Sequence, residues 1–370
     1  MNKDQALLQA YSKNGLELKN RVIMAPMTRG RALNDENKPT GELHAPYYAE
    51  RASAGLIITE GSQVSKDAVG YINTPGIYTD AHVEGWTKVT KAVHDKGGKI
   101  YIQLWHVGRM SHPDFHEGKL PLAPSAINPN EKSFTPEGFK DTVTPRAMTV
   151  EDIKTTVADF RKAAANAVKA GFDGVEIHSS NGYLFHQFFN ATSNHRTDEY
   201  GGSIENRARF FFDVLDAVKQ ELPENKIGAR FNPSLHGSFG STMDEETIPT
   251  FDYIIKKLND YNLAYVHLSE PFSDVSNIPY AISEIAKHYR PLYHGTLMIN
   301  NGFDQEKGNA VIERGDADLV AFGKPYISNP DLVERFKRNH SLADWDQDTF
   351  YTGGAEGYLH YKTIEEAQEA

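Results

Sequence analysis

Short apolar runs recur along the chain, each separated from the next by a stretch with helical spacing. Eight runs stand out, at residues 21–28, 55–61, 99–106, 175–178, 226–231, 264–270, 296–300 and 318–323. They are short, apolar and bounded by glycine, proline or polar residues, which is the mark of a buried strand. Between them, residues 44–54, 81–96, 149–170, 204–222, 245–261, 280–288 and 304–315 read as helices. This alternation predicts an α/β fold closed into a single (β/α)8 TIM barrel. A doubly wound sheet shares the alternation, but no Gly-x-Gly-x-x-Gly follows a predicted strand, which weakens the Rossmann reading. Ahead of the first strand, Asn14-Gly15 lies between the apolar residues of 7–18 and predicts a hairpin.

The fourth strand and its flanks are the most informative stretch. Thr149 and Asp152 have capping-box spacing. Ile153, Val157, Phe160, Ala164 and Val168 then form one helical face, and Gly171 is placed to end the helix. In the strand that follows, alternation puts Gly174, Glu176 and His178 on one face and Val175 and Ile177 on the other. The apolar pair is expected against the flanking helices and the polar set inside the barrel. His178 falls at the C-terminal end of the strand, with Asn181 and Tyr183 just beyond it. Functional groups of barrels gather at that end. His178 and Asn181 can both bond one ligand oxygen. Tyr183, with a reference pKa of about 10, stays protonated at neutral pH and can donate a proton.

Composition narrows the class. The chain has 370 residues, a net charge of −11 and no cysteine. The negative charge disfavours nucleic acid and anionic membranes. The missing cysteine excludes disulfides, iron–sulfur clusters, thiolate zinc sites and a cysteine nucleophile. Residues 1–10 lack a signal-peptide pattern and no run is long enough to span a membrane, so a cytoplasmic protein is expected. His112 and His116 lie near Asp114 and Glu117, but no third ligand or helical register supports a metal. Residues 1–370 read as one domain. Within it, residues 108–149 break the strand–helix rhythm and are expected to cap the barrel as a long excursion.

Other strand ends add to the theme. Thr28, Gly61, Gln103 and Arg230 end strands one, two, three and five, Asn300-Asn301-Gly302 ends strand seven, and Phe322-Gly323-Lys324 ends strand eight. The last two segments occupy the usual phosphate position of a barrel, with glycine for close backbone approach and Lys324 for charge. Gln103, Arg230 and Thr28 suit a flat, nitrogen-rich ring such as a flavin. Glu60 and Glu176 are expected to face inward as structural polar groups below the mouth.

Five blocks, in order, resemble the old yellow enzymes over essentially the whole chain. They are 15–21 with Ala25-Pro26-Met27-Thr28-Arg29; Gln103-Leu104-Trp105-His106 with Gly108-Arg109; 171–207; 322–326 with 329–332; and 351–358. The resemblance implies an FMN-dependent, NADPH- or NADH-driven ene-reductase. It implies tightly bound FMN, contacted by Pro26, Met27 and Thr28 and by Gly61, Gln103 and Arg230. The FMN phosphate would lie against Asn301, Gly302, Phe303, Gly323 and Lys324. His178 and Asn181 would bind the carbonyl oxygen of an activated alkene, and Tyr183 would protonate its α-carbon. Tyr71, Trp105 and Tyr351 would line the substrate pocket. The N-terminal hairpin would close the barrel bottom. Lys324 stands where the family usually has arginine, and Pro271–Pro279 departs from its relatives. The absence of cysteine sets the chain apart from the thermophilic-like and iron–sulfur branches. The expected partners are small molecules, with the protein a monomer or small homo-oligomer. Alternatives are a flavin-binding barrel with another acceptor, a flavin carrier, and a flavin-free barrel lyase, isomerase or hydrolase.

Overall fold

Each predicted strand buries both faces, so each needs a partner on either edge and cover on either side. A closed parallel barrel meets both needs. In the computed structural model, which describes residues 5–351 and 353–369, eight strands close in sequential order. They are β1 (Val22–Met24), β2 (Leu56–Gln63), β3 (Ile100–Trp105), β4 (Gly174–His178), β5 (Ile227–Phe231), β6 (Tyr265–Ser269), β7 (Leu297–Asn300) and β8 (Leu319–Phe322). Every neighbouring pair is parallel, and β8 pairs with β1 to complete the ring. Residues 1–4, part of the stretch read for a signal peptide, and Thr352, inside the last resemblance block, lie outside the described residues. Among the described residues no helix is long and apolar enough to cross a membrane.

Local chemistry sets the element ends. Thr149 Oγ1 accepts from Asp152 N at 3.1 Å while Asp152 Oδ2 accepts from Thr149 N at 2.7 Å, so the helix Val150–Lys169 begins with the expected capping box. Gly171, at φ +86°, ends it in the left-handed conformation that glycine adopts most cheaply. The buried stripe of this helix includes Ile153, Phe160, Ala163, Ala164 and Ala167. Val168, expected on that stripe, is instead 49% exposed. At 3.6 residues per turn the stripe has drifted to Ala163 and Ala167 by the last turn.

Strand alternation sorts the layers as predicted around β4. Val175 and Ile177 join the large cluster between strands and helices. Glu176 points inward, where Gln103 Nε2 donates to Oε1 at 2.8 Å and His267 lies 2.9 Å from Oε2. Below them Ile23, Ile58, Tyr101, Tyr265 and Met298 pack with Tyr11, Leu16 and Leu18 of the hairpin Tyr11–Lys13/Leu16–Leu18. The hairpin thus plugs the bottom of the barrel, and Tyr11 bonds Thr296 at 2.8 Å. Each fully buried large apolar side chain in these layers contributes about 1.5–3 kcal/mol.

Two further expectations fail for physical reasons. Glu60 does not face the barrel interior. The register of β2 slips between Ile58 and Gly61, a bulge that turns Glu60 outward to accept from Tyr48 on the helix His44–Glu50 at 3.1 Å. The helix expected over 280–288 is only Ile285–Tyr289. Its start is set from afar, because the Glu270 carboxylate at the end of β6 accepts from Ile285 N at 2.9 Å and Ala286 N at 3.2 Å. The excursion carries two small sheets, Leu122–Ala123 with Arg146–Ala147 and Lys132–Thr135 with Gly138–Asp141.

Candidate active site

The register of the barrel places the polar strand ends side by side. Gly61 pairs with Gln103, Gln103 with Glu176, His178 with Arg230, and Arg230 with His267. Burial alone pushes the Glu176 carboxyl up, but His267, Arg230 and Gln103 together hold it below the usual carboxylate range. Burial outweighs Glu176 at His267 and keeps that imidazole below its ordinary value. The result is an anionic Glu176 beside a neutral His267, with Arg230 as the buried cation. Asn300, its amide turned to satisfy its neighbours, accepts from Arg230 Nη2 at 2.9 Å. Gln103, Glu176, His267, Arg230 and Asn300 thus lie together inside the mouth, where Gln103 and His267 bond Glu176 and Asn300 bonds Arg230.

Past the end of β4 the chain doubles back. Asn181 (φ +57°) and Gly182 (φ +72°) are both left-handed, and Tyr183 N donates to Ser180 O at 3.2 Å. A Cβ on Gly182 would lie 2.6 Å from Phe239 O, so only glycine fits there. Gln187 holds the turn, donating to Val107 O at 3.0 Å and Gly182 O at 2.8 Å. The turn returns Asn181 and Tyr183 to the side of His178. The His178 and Tyr183 ring centres are 5.2 Å apart, and Asn232 Nδ2 donates to Asn181 Oδ1 at 3.3 Å.

Trp105 forms the wall. It stacks on Tyr71 at 5.5 Å and on His178 at 6.1 Å, and meets Tyr183 edge-on at 5.1 Å. Tyr183 donates to Tyr71 Oη at 3.2 Å. Burial drives the Tyr183 phenol well above its ordinary value and pushes Tyr71 up to about 12. Burial, helped by the positive Arg230, holds the His178 imidazole well below the histidine range. The cluster therefore offers a neutral imidazole, an amide and a protonated phenol on one concave surface. Tyr351, expected in the pocket wall, is 57% exposed, and its ring neighbour is Phe350 at 6.1 Å.

The second group of predicted residues lies across the mouth. Gly302 is left-handed at φ +80°, with nothing within 4 Å of a would-be Cβ. Asn301 turns its amide away, donating to Glu270 O at 3.1 Å and Pro271 O at 2.6 Å. A Cβ on Gly323 would lie 3.6 Å from Met27 Sδ, so Met27, past the end of β1, lies beside the end of β8. Lys324 is exposed, with Nζ 5.7 Å over the Trp345 ring. Pro26, Met27, Thr28 and Phe303 are partly exposed at the same rim.

These residues fit FMN. Among the described residues Arg230 Nε is buried without a partner. Gln103 uses Nε2 on Glu176, and its Oε1 accepts no hydrogen bond among the described residues. One side of the mouth thus presents unspent groups for a ring, and the other presents open glycine backbone and a lysine for a phosphate.

Similarity to known proteins decides the family. Residues 12–343 match the model of the NADH:flavin oxidoreductase / NADH oxidase family. The chain belongs to that family, the old yellow enzymes. It is 42% identical to the putative 12-oxophytodienoate reductase 5 of Oryza sativa subsp. japonica over 98% of this chain and 96% of that one. Its fold matches morphinone reductase in complex with tetrahydroNAD with a TM-score of 0.91, at 40% identity over 99% of both chains. It matches the old yellow enzyme homologue from Zymomonas mobilis with a TM-score of 0.90, at 38% identity over 96% and 99% of the two chains. This old yellow enzyme relative is accordingly an FMN-dependent, NAD(P)H-driven oxidoreductase.

Sequence reading brought together His178, Asn181, Tyr183, Tyr71 and Trp105. It missed Ser180, Asn232, Gln187 and His267. Ser180 carried a signal, a hydroxyl two residues after a strand-end histidine. Asn232 had none, because its partner Asn181 follows a different strand, and Gln187 had none, because it also reaches Val107 beyond β3. It also missed Arg29 and Arg31, which bind the carbonyls of 349–357. Arg29 donates to Phe350 O at 3.0 Å and Gly357 O at 2.8 Å, and Arg31 donates to Phe350 O at 2.8 Å and Thr349 O at 2.7 Å.

Proposed function

We propose that the protein reduces the carbon–carbon double bond of α,β-unsaturated carbonyls or nitroalkenes. When bound, FMN supplies hydride taken from NADH or NADPH to the β-carbon. Pro26, Met27, Thr28, Gly61, Gln103 and Arg230 hold its ring, and the backbone of 301–303 and 323 with Lys324 holds its phosphate. His178 and Asn181 donate to the substrate oxygen and stabilise the negative charge that develops there, as an oxyanion hole does. Tyr183 gives its Oη proton to the α-carbon. Trp105 and Tyr71 press the substrate flat and exclude water.

One observation carries this reading. A neutral imidazole, an amide and a protonated phenol share one turn, with the His178 and Tyr183 rings 5.2 Å apart. That set binds an oxygen and delivers a proton to a nearby carbon. Relatives named as reductases of 12-oxophytodienoate and morphinone support an oxo-bearing acceptor.

The test is anaerobic. FMN-loaded protein is bleached with one equivalent of NADPH, and 2-cyclohexenone or a nitroalkene is then added. Return of the oxidised flavin absorbance with formation of the saturated product is expected. A flavin that stays reduced with both acceptors overturns the proposal.

A further inference from the structure

We propose that Ser180 is a positioning residue that fixes the tautomer of His178, so that Nε2 carries the proton and faces the substrate oxygen. The inference rests on the reading of His178 as a donor to that oxygen. Ser180 Oγ lies 3.0 Å from His178 Nδ1. Ser180 is completely buried, and among the described residues this is the only hydrogen bond of its hydroxyl.

A neutral imidazole has one N–H and one lone-pair nitrogen, and a hydroxyl can serve either. Two arrangements satisfy the pair. If Nδ1–H donated to Ser180, the serine proton would be buried with no acceptor, which is the costly arrangement. Nε2 would then present a lone pair to a carbonyl oxygen, and the two would repel. If Ser180 donates to Nδ1, no hydrogen is stranded and Nε2–H becomes the outward donor. The geometry therefore selects the tautomer that binds oxygen. Burial beside Arg230 keeps the ring neutral, so the choice of tautomer is a real one.

The placement is rigid. The Ser180 carbonyl accepts from Tyr183 N, so the turn that returns Asn181 and Tyr183 also seats the hydroxyl behind the ring. Trp105 stacks on the ring at 6.1 Å.

The experiment reads the tautomer directly. The FMN-loaded protein is labelled with 15N-histidine, and its long-range 1H–15N spectrum is recorded, with His178 assigned by comparison with His178→Asn. Nδ1 unprotonated and Nε2 protonated is expected in the parent chain. Nδ1 protonated in the parent overturns the proposal, and this readout needs no variant to fold. Ser180→Ala is expected to mix the two tautomers and to weaken binding of 4-hydroxybenzaldehyde, as its phenolate, about tenfold, with Ser180→Thr restoring both. Ser180→Ala with an unchanged tautomer and unchanged phenolate affinity overturns it. If the tautomer shifts in Ser180→Ala while His178→Asn leaves phenolate affinity intact, the tautomer assignment stands and the oxygen-binding reading of His178 falls.

Discussion

Tyr183 donates its phenolic hydrogen to Tyr71 Oη across 3.2 Å. The proton assigned to the substrate thus rests on a second phenol, held there by burial that keeps both rings protonated. Tyr183→Phe removes that proton and leaves the ring stack in place. The rate of flavin reoxidation by 2-cyclohexenone should fall by about 10²–10⁴. Flavin reduction by NADPH should change by only a few-fold. Rapid-mixing measurement of each half-reaction checks this, and equal losses in both would remove Tyr183 from the donor role.

Gly61 tolerates no side chain. A Cβ there would lie 2.6 Å from Trp105 Cε3. Gly61→Ala should push Trp105 off Tyr71 and His178 and cost about 1–3 kcal/mol. Denaturant unfolding measures the cost. A change in tryptophan emission and weaker enone binding should accompany it, whereas an unchanged KM would show that the Trp105 wall does not shape the pocket.

Lys324 presents one ammonium where arginine would present a planar fork. Lys324→Arg should slow FMN dissociation about three- to tenfold, because two parallel hydrogen bonds replace a point contact. Lys324→Ala should speed it. Fluorescence of released flavin after dilution gives the rate. Indifference to both changes would place the phosphate elsewhere.

Acid should weaken the fold through its buried histidines. Burial, reinforced by His116, pushes His106 down to about 3, and Gly108 N donates to its Nδ1 at 3.0 Å. The unfolded chain takes up a proton below about 6.5 that the folded chain refuses until about 3. Its contribution is therefore present above about 6.5 and lost as pH falls. His44 and His186, both pushed to about 3, act in the same sense. Glu60, raised to about 7 by burial, acts in the opposite sense, so the informative quantity is the difference between variant and parent. His106→Asn keeps an acceptor for Gly108 and removes the proton site. The stability lost between pH of about 7 and about 5 should shrink by about 2 kcal/mol. Thermal unfolding at the two pH values measures it.

Arg29→Ala should release the segment 349–357 from the barrel rim. It deletes three donated bonds, to Phe350 O, Gly357 O and the Tyr47 hydroxyl. A loss of about 3 kcal/mol or more is expected. Hydrogen exchange should rise first in 349–357, and exchange spread evenly over the barrel would refute a local clamp.

What the sequence revealed follows the range of the forces involved. The eight strands were legible because each is a local apolar run. The hairpin turn at Asn14-Gly15 and the capping box at Thr149 were legible because their partners lie within seven residues. The start of the helix at Ile285 was not, since its cap is Glu270, across a loop. Glu60 was misplaced because a bulge between Ile58 and Gly61 shifts its face, and simple strand alternation does not register the extra residue. The site split along the same line. His178, Asn181 and Tyr183 lie together in sequence and could be read together. Asn232 and His267 reach the site only through barrel closure.

The clamp has a consequence for synthesis. Arg29 leaves the ribosome 321 residues ahead of Phe350 and 328 ahead of Gly357. Throughout translation its guanidinium lacks these two acceptors, so the rim can close only when the nascent chain is almost complete. A product that terminates before Thr349 could assemble all eight strands and still carry two buried arginines stripped of those carbonyls. Among the described residues, such a chain would keep only the Tyr47 hydroxyl for Arg29 and the Arg29 carbonyl for Arg31.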